Sequence, residues 1–345
     1  MPIGTQRPIT PVAAATPPYF VGVDVGGTNI KLGVVDDRGR TLDYMSTPTE
    51  PERGGEDGAR RMGEAVLEIA RRAGLRPDEI AHVGLGSPGT MDVPAGMLLE
   101  PFNLGWYNFP IRDRLSQHCG RPVAFNNDAN AAAYGEYWVG SGRDLHSMVL
   151  FTLGTGVGCG VIIGDLLVTG ENSHGAECGH IIIDYRDDAR VCSCEQSGHL
   201  EAYASATAVV KRIEEVLATG RESSVGRRVA AGEAPTPLML SEEAERGDAL
   251  AMEIILETAR YVGVGAVSMI HTIDPNGVVL GGAMTFGGHD TAVGRRFLTA
   301  VRAEVDRRLL PTLVGKVSVD LAQLGGDAGY LGAAGIARLA HQDES

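Results

Sequence analysis

The sequence lacks most of the features that mark secreted, membrane or nucleic-acid-binding proteins. Its five cysteines are an odd number in a chain of 345 residues, which does not fit a disulfide framework. No apolar run is long enough to span a bilayer, and the first residues contain no apolar core of signal-peptide length. The net charge of -14 argues against a general nucleic-acid-binding surface. We therefore expect a cytoplasmic protein that binds neither membranes nor nucleic acids.

No GxxxxGK[ST] occurs, and the three glycine clusters discussed below are neither a Walker P-loop nor a GxGxxG fingerprint. The 47 glycines nevertheless gather in short clusters beside apolar runs, which is typical of turns where backbone approaches a ligand. An anionic ligand is compatible with the acidic composition, because backbone N–H groups alone can bind a phosphate.

The glycine clusters lie in two copies of one strand–turn–strand unit. The segments VDVGGTNIKLGVVDDRG and FTLGTGVGCGVIIGDLL each predict a strand, a glycine-rich turn, a second strand and a tight turn. The chain is also longer than one hydrophobic core usually serves. We therefore expect two similar α/β domains that face each other across a cleft.

The first two glycine clusters are candidate phosphate-binding turns. In DVGGTN, Gly26 and Gly27 let backbone N–H groups approach a phosphate, and Thr28 adds a hydroxyl donor. Asp24 precedes them and can hold a Mg²⁺-bound water. For one such motif a plain hairpin turn is an equal explanation, but the matched turn TLGTGVGCG can hold the same polyphosphate from the opposite side. Its candidate residues are Thr152, Gly154, Thr155 and Gly156.

A third cluster, VLGGAM, ends a buried strand with Gly281 and Gly282, which suits close approach of a flat ring such as adenine. Alone it is weak evidence, because many strands of α/β proteins end in glycine. The three clusters together exceed what turns alone predict, and they indicate a nucleotide site.

The segment FNNDANAAA ends a strand in polar residues and opens an alanine-rich helix. Asp128 is either a structural N-cap or a general base that accepts a proton from a substrate hydroxyl, in line with a γ-phosphate. The neighbouring Asn126 and Asn127 favour the base, because a sugar needs both donors and acceptors. Other candidates for hydroxyl contacts, each alone more simply a solvated loop residue, are Asn103, Glu177 and His180.

Two thiols and two imidazoles gather in the segment that starts at His180. With Cys192, Cys194 and His199, this residue makes a reasonable tetrahedral Zn²⁺ set, although CxC is tighter than the usual CxxC. Buried cysteines with incidental histidines are the alternative. Four protein ligands would close the site, so the metal would be structural and a zinc-dependent hydrolase is excluded. Glu201 follows the cluster and by itself is only a favourable charge at the start of a helix.

In this order the motifs resemble those of the ROK family of sugar kinases and related repressors. The resemblance covers nearly the whole chain after the first residues. It rests on DVGGTNIKLGVVD, GLGSPGTMD, NLGW, NNDANAAA, TLGTGVGCGVI, GAECGH and CSCEQSGHLEAYAS. It implies an actin-like ATPase, or ribonuclease-H-like, α/β fold in which two similar domains bind ATP and a sugar in the cleft between them. It also implies a homodimer.

The resemblance further implies where each domain lies and what each motif does. A flexible tail would span residues 1–18, a smaller domain residues 19–127 with the C-terminal helix 328–342, and a larger domain residues 128–327 with the zinc motif. The segments Asp24–Thr28 and Thr152–Gly158 would bind phosphates, and Asp128 would be the catalytic base. Sugar hydroxyls would be held by Asn103, Asn127, Glu177, His180 and Glu201.

The zinc motif of the family is a histidine followed by CxCGxxGCxE, and this chain departs from it twice. His199 stands where the family has its third cysteine, and Glu195 replaces the glycine after Cys194. Because imidazole is a competent zinc ligand, we expect a Cys₂His₂ site instead of Cys₃His. His180 would then serve twice, with one ring nitrogen on the metal and the other towards a sugar hydroxyl.

These observations predict an ATP-dependent hexose kinase that transfers the γ-phosphoryl group to the primary hydroxyl of glucose, with Mg²⁺ screening the phosphates. An N-acetylglucosamine or N-acetylmannosamine kinase is the nearest alternative, because the candidate residues contact hydroxyls that these sugars share. Polyphosphate is a less favoured donor, since no basic run suggests a long anion track. The alternative of another class is a non-catalytic sugar sensor. The residues before the first strand are too few for a helix-turn-helix, and the intact NDAN motif favours the kinase.

Overall fold

The computed structural model describes residues 7–101 and 103–344, which form two five-stranded sheets, a two-stranded hairpin and ten α-helices. The strands are β1 (Tyr19–Val25), β2 (Asn29–Asp36), β3 (Thr41–Pro48), β4 (Ile80–Ser87), β5 (Thr90–Asp92), β6 (Met97–Glu100), β7 (Val123–Asn127), β8 (Ser147–Leu153), β9 (Val157–Ile163), β10 (Leu166–Leu167), β11 (Gly277–Gly281) and β12 (Ser318–Leu321). The helices are α1 (Gly55–Arg72), α2 (Ile111–Cys119), α3 (Asp128–Val139), α4 (Glu201–Ala204), α5 (Ala206–Ala218), α6 (Ser224–Ala230), α7 (Pro237–Glu245), α8 (Ala249–Ile273), α9 (Ala292–Arg308) and α10 (Ala328–Asp343).

The two large sheets have the same strand order. In the first, the order is β3-β2-β1-β4-β7, with β1 to β3 antiparallel and β4 and β7 parallel to β1. In the second, the order is β10-β9-β8-β11-β12, again with three antiparallel strands followed by two parallel ones. Each sheet therefore starts from one copy of the repeated hairpin unit. The prediction of two similar α/β halves with the actin-like topology is confirmed.

Helices cover both faces of the first sheet by packing on its apolar strand residues. Val21, Val23 and Val25 of β1 pack with α1, whose residues Met62, Val66, Ile69 and Ala70 are all buried, as the helical spacing predicts. The opposite face of the sheet is covered by α10 from the end of the chain. We call this sheet with α1, α2 and α10 the first lobe, and the second sheet with α4 to α9 the second lobe.

Helix α3 joins the lobes, because it packs on both the second sheet and α10. Ala131, Ala133 and Tyr134 contact apolar residues of β8 and β9, and Ala333 of α10 belongs to the same cluster. The two helices approach at backbone contact: a Cβ at Gly332 would lie 1.5 Å from the carbonyl oxygen of Ala131, so only glycine fits there. The base of the cleft between the lobes is thus a tightly packed helix pair.

The helical segment that follows the cysteine cluster is interrupted. The structure ends α4 at Ala204 and starts α5 at Ala206. Ser205 lies between them in extended conformation, and its side chain accepts a hydrogen bond from the N–H of Ala208. The serine therefore acts as the N-cap of α5, which is favourable enough to break the helix at this residue.

The first described residues are attached to the first lobe. The N–H of Thr10 donates to the carbonyl of Thr41 at 2.7 Å, and the N–H of Thr16 donates to Oδ2 of Asp36 at 2.9 Å. Within the predicted flexible tail of residues 1–18, Thr10 and Thr16 thus contact the first lobe, while residues 1–6 lie outside the described residues. No helix within the described residues is both long and apolar enough to cross a membrane.

Candidate active site

At the junction of β7 and α3, Asn127 caps the helix and Asp128 faces the cleft. Asn127, and not Asp128, is the N-cap of α3, since its Oδ1 accepts hydrogen bonds from the N–H groups of Ala129 and Asn130. Asp128 is the first helical residue, and its Oδ1 also accepts from Ala129 at 2.8 Å. Because the cap is supplied by its neighbour, the carboxylate of Asp128 is left facing the cleft at the positive end of the helix.

A cavity of about 230 Å³ lies between the lobes and brings together residues from five separate segments. Asp24 at the end of β1 and Asp128 face it from the first lobe and from α3. Thr152 at the end of β8, with Gly281 and Gly282 at the end of β11, lines it from the second lobe. These five residues, predicted from four separate motifs, meet at the carboxyl ends of the central strands, where ligands of open α/β sheets bind.

Burial and like charges raise the pKa values of both aspartates. Desolvation is the main cause for Asp24, whose pKa rises to about 6 although Lys31 opposes the shift and Asp128 adds to it. Desolvation also raises the pKa of Asp128, with a contribution from Glu177. A carboxylate with a raised pKa is a stronger proton acceptor, so the cavity favours base catalysis by Asp128 at neutral pH.

The raised pKa of Asp24 predicts that its ionised carboxylate destabilises the folded chain at high pH. The folded chain holds this proton more tightly than the unfolded chain, so ionising Asp24 above pH 6 costs folding free energy. Asp24→Asn should therefore raise the free energy of unfolding by about 1–3 kcal/mol at pH 8, and this gain should vanish as the pH falls to 4. Urea unfolding at the two pH values measures it. The exposed Asp306→Asn serves as control and should show no such pH-dependent gain; an equal gain for both variants would contradict the prediction.

The two glycine turns are hairpin loops that follow the cavity-lining residues Asp24 and Thr152. In the first, the N–H of Gly26 donates to the carbonyl of Asn29, which leaves Gly27 and Thr28 exposed at the tip. In the second, the N–H of Gly154 donates to the carbonyl of Gly156. Thr155 is exposed between them, and its carbonyl accepts from Thr207 Oγ1 at the start of α5 at 3.0 Å. Each turn therefore directly follows a cavity-lining residue, one on each lobe.

A second cavity, of about 350 Å³, continues from the first into the second lobe. The two share Gly281, Gly282, Ala322 and Gly325, so together they form one elongated site. Gly282 has φ +92°, and a Cβ there would lie 2.3 Å from the carbonyl oxygen of Leu153, so the close turn at the end of β11 requires glycine. The shape suits a nucleoside in the second cavity with its phosphates in the first.

The predicted hydroxyl-binding residues lie outside the cavity but close to residues around it. Asn103 lies beside the first glycine turn, with its Cβ 3.8 Å from the position of a Cβ built on Gly27. Glu177 is close enough to Asp128 to raise its pKa, and Oε2 of Glu177 is 4.0 Å from Nε2 of His180. The side-chain oxygen of Asn127 caps α3, so its amide nitrogen is the group left for another partner. None of these four residues lines the 230 Å³ cavity.

The cysteine and histidine cluster is assembled as the sequence predicts. One ligand atom from each of His180, Cys192, Cys194 and His199 can be chosen so that all four lie within 4.8 Å of one another. The Nδ1 atoms of the two histidines are 3.2 Å apart, and Sγ of Cys194 is 3.2 Å from Nδ1 of His199. A tetrahedral zinc ion with bonds of about 2.0–2.3 Å needs similar separations, and two thiols with two imidazoles are its preferred donors. The residues therefore fit zinc.

The carboxylate of Glu201 contacts both the second glycine turn and the loop between the two cysteines of the cluster. Its Oε2 accepts the N–H of Val157 at 3.0 Å, directly after Gly156. Its Oε1 accepts the hydroxyl of Ser193, between the two cysteines. The carboxylate thus joins the cysteine loop to the second glycine turn, a link that the CxC motif around Ser193 does not predict.

Three features of the cavity wall were not predicted from the sequence. Lys31 on β2 and Glu136 on α3 line it, as do Gly325 and Gly326 between β12 and α10. Glu136 is fully buried and accepts the N–H groups of Gln323 and Leu324, so it holds the loop that leads to these glycines. Two sequence features could have predicted these residues. The alternation of β2 places Lys31 on the face opposite to its buried neighbours, and GGDAG is a further glycine cluster.

Comparison with known proteins agrees with this geometry. Residues 20–340 match the model of the ROK family. A glucokinase of Thermotoga maritima is 34% identical, over 92% of this chain and 96% of its own length. The ROK hexokinase of Thermus thermophilus superposes with a TM-score of 0.78 at 34% identity, over 94% of this chain and 99% of that one. A ROK family glucokinase from Streptomyces griseus, in complex with glucose and AMPPNP, gives 0.74 at 34% identity, over 93% and 99%.

Proposed function

The chain belongs to the ROK family, and from this membership we propose that it is a glucokinase that converts glucose and ATP to glucose 6-phosphate and ADP. The observation that carries the proposal is that Asp24 and Asp128 line one elongated cavity that is long enough for a nucleotide.

In the proposed reaction, Asp128 accepts the proton of the primary hydroxyl while that oxygen attacks the γ-phosphorus, and the bond to the β-phosphate oxygen breaks to release ADP. Backbone N–H groups of the two turns would hold the phosphates in line with the sugar. Asp24 fits a Mg²⁺ ion that keeps several waters, and the ion would neutralise phosphate charge. Glu177 and Asn103 would hold the remaining hydroxyls.

An ADP-release assay tests this function. Glucose, mannose, fructose, N-acetylglucosamine and N-acetylmannosamine should be compared as acceptors with ATP. Polyphosphate releases no ADP, so it should be compared with ATP as donor by measuring the sugar phosphate formed. Glucose with ATP should give the highest kcat/KM. If an N-acetylhexosamine gives a higher kcat/KM than glucose, the proposed substrate is wrong but the proposed kinase activity stands. If no hexose causes ADP release, the protein is better explained as a non-catalytic sugar sensor.

We further propose that the cysteine and histidine cluster holds one structural Zn²⁺. All four protein ligands would be occupied, so the ion would act as a brace for the loop and not as a Lewis acid. His180 supports this arrangement, because its Nδ1 faces the cluster while its Nε2 faces Glu177. The cysteines outside the cluster are free thiols, which supports the reducing cytoplasm as the proposed compartment.

We also propose a homodimer through the outer face of α8 and α9. Two adjoining hollows of about 720 and 620 Å³ lie there and share Leu256, Glu257 and Arg260. The surface carries acidic and basic groups together, so it can pair with itself across a two-fold axis. Light scattering should give twice the chain mass of 36.3 kDa. Leu256→Arg should halve the mass, with the exposed Leu238→Arg as control; a monomeric wild-type chain would refute the proposal.

A further inference from the structure

We propose that Glu136 is a positioning residue for the donor nucleotide, because its buried carboxylate holds the loop before α10 in the conformation that nucleotide binding requires. We call residues 322–327, between β12 and α10, the donor loop. The inference rests on the proposed function, since it concerns the donor half of the same site. It adds a residue that the motif NNDANAAA does not include.

The carboxylate of Glu136 is fully buried and accepts four hydrogen bonds. Oε1 accepts the N–H of Leu324 at 2.7 Å, and Oε2 accepts the N–H of Gln323 at 3.2 Å. Oε2 also accepts the N–H and the hydroxyl of Ser141, both at 2.9 Å. A Cβ at Gly140 would lie 2.2 Å from Oε2, so glycine leaves room for the carboxylate there. Glu136 therefore joins the end of α3 to two consecutive N–H groups of the donor loop.

The donor loop forms part of the wall of both halves of the elongated site. Gln323 lines the 350 Å³ cavity, Gly326 lines the 230 Å³ cavity, and Gly325 lines both. Glu136 itself lines the smaller cavity, on the same helix as Asp128. Helix α3 thus carries the proposed base at its first residue and holds the donor loop near its last turn. One rigid element therefore sets the distance between the phosphoryl acceptor and the donor.

The charge of Glu136 matters because the four donors face both of its oxygens. Burying a carboxylate costs free energy, and hydrogen bonds must satisfy its oxygens to offset that cost. A carboxylate only accepts, so donors can approach both oxygens, whereas the amide of glutamine presents one oxygen and one NH₂ group. In Glu136→Gln the NH₂ group must face either the N–H of Leu324 or the donors of Gln323 and Ser141. At least one buried N–H of the donor loop or of Ser141 then loses its acceptor.

The loss of this acceptor should reduce nucleotide affinity through the position of the donor loop. An unsatisfied buried N–H costs free energy, so part of the free molecules would release the loop to restore its hydrogen bonds elsewhere. A nucleotide binds only the fraction of molecules whose loop is in place, so its apparent Kd rises as that fraction falls. The proposed sugar contacts Asn103 and Glu177 lie on other segments, so glucose affinity should be nearly independent of the loop.

Calorimetry should compare the binding of Mg²⁺–AMPPNP and of glucose to wild type, Glu136→Gln and the matched control Glu243→Gln. Glu243 is also a buried carboxylate, but it lies on α7 outside both cavities and pairs with Arg228 and Arg246. Glu136→Gln should weaken AMPPNP roughly 10- to 100-fold, as expected for one unsatisfied buried N–H, and glucose less than about threefold. The control should bind both ligands as the wild type does, even if its melting temperature falls.

Hydrogen exchange reports the position of the donor loop directly. In the wild type the amides of Gln323 and Leu324 should exchange slowly, because Glu136 accepts both. In Glu136→Gln they should exchange about tenfold faster or more, and saturating AMPPNP should restore their protection. The amides of α10 should stay as protected as in the wild type. General unfolding would instead speed exchange throughout the chain, so the measurement separates a displaced loop from a destabilised fold.

Two results would overturn the inference. AMPPNP affinity within about twofold of the wild type in Glu136→Gln would leave the residue without a role in donor binding. Equal weakening of AMPPNP and glucose, or an equal loss in Glu243→Gln, would make it a residue of general stability. The failure of the proposed function is distinguishable, because a wild-type chain that binds AMPPNP but releases no ADP with any hexose would refute the kinase and leave this test intact.

Discussion

Replacing Asp128 with asparagine should lower kcat for glucose phosphorylation by roughly 10²- to 10⁴-fold, which is the usual contribution of a general base. The amide cannot accept the proton of the attacking hydroxyl at neutral pH. It keeps the size of the carboxylate and can still accept the hydrogen bond from Ala129. Glucose affinity, measured by calorimetry, should therefore stay within about threefold of the wild type, because the loss is confined to the reacting state.

The same variant should not unfold the protein. Burial raises the pKa of Asp128, so the neutral amide suits its surroundings at least as well as the charge, and the melting temperature should be equal or higher. Asn127, which caps α3, is untouched. The exposed Asp144→Asn, on the loop after α3, is the matched control and should leave kcat unchanged. Near-normal turnover in Asp128→Asn would show that another group takes the proton.

Cys194→Ala should remove the metal and loosen the sugar site while sparing the nucleotide site. Metal analysis should fall from about one zinc per chain to nearly none, because a three-ligand site of this kind holds zinc poorly. The KM for glucose should rise roughly 10- to 100-fold. His180 would lose the zinc ion that fixes the orientation of its ring. The loop that carries Ser193 would no longer hold the carboxylate of Glu201. The KM for ATP should change less than about threefold.

Two further variants make this test specific. Cys119→Ala removes a buried thiol from α2 in the first lobe and should keep both zinc and glucose affinity. His199→Cys changes the ligand set to three thiols and one imidazole, a set that also suits zinc, and should retain the metal. An equal rise of both KM values in Cys194→Ala would indicate general unfolding, and zinc-free wild-type protein would end the proposal.

Local patterns predicted the repeated hairpin unit, because alternation and turn residues act within a few positions along the chain. They also singled out Asp24, Asp128 and the cysteine and histidine cluster, because each belongs to a short motif of glycine, polar or thiol residues. The capping role of Asn127 was missed, since both Asn127 and Asp128 are good N-caps and only the backbone geometry decides between them.

The contacts that cross between distant segments were beyond reach of the sequence. Ser193 meets Glu201, Glu136 holds the loop before α10, and Lys31 reaches Gly326 almost 300 residues later, at a separation of 295 positions. Another such contact joins the N–H of Val93 on the first lobe to Oγ of Ser173 on the second, at 2.9 Å. None of these pairs has a spacing that a local pattern records, because the topology alone brings them together.

The packing of α10 on the first sheet has a consequence for how the protein is made. Residues 19–127 are synthesised before α10, and the whole of residues 128–327 separates them from the helix that covers one face of their sheet. Until α10 is made, Phe20 and Val35 lack their apolar cover, and Asp24 lacks the wall at Gly329. Phosphoryl-transfer competence can therefore arise only after α10 has been synthesised, and a nascent chain stalled before α10 would expose one bare face of the sheet to chaperones.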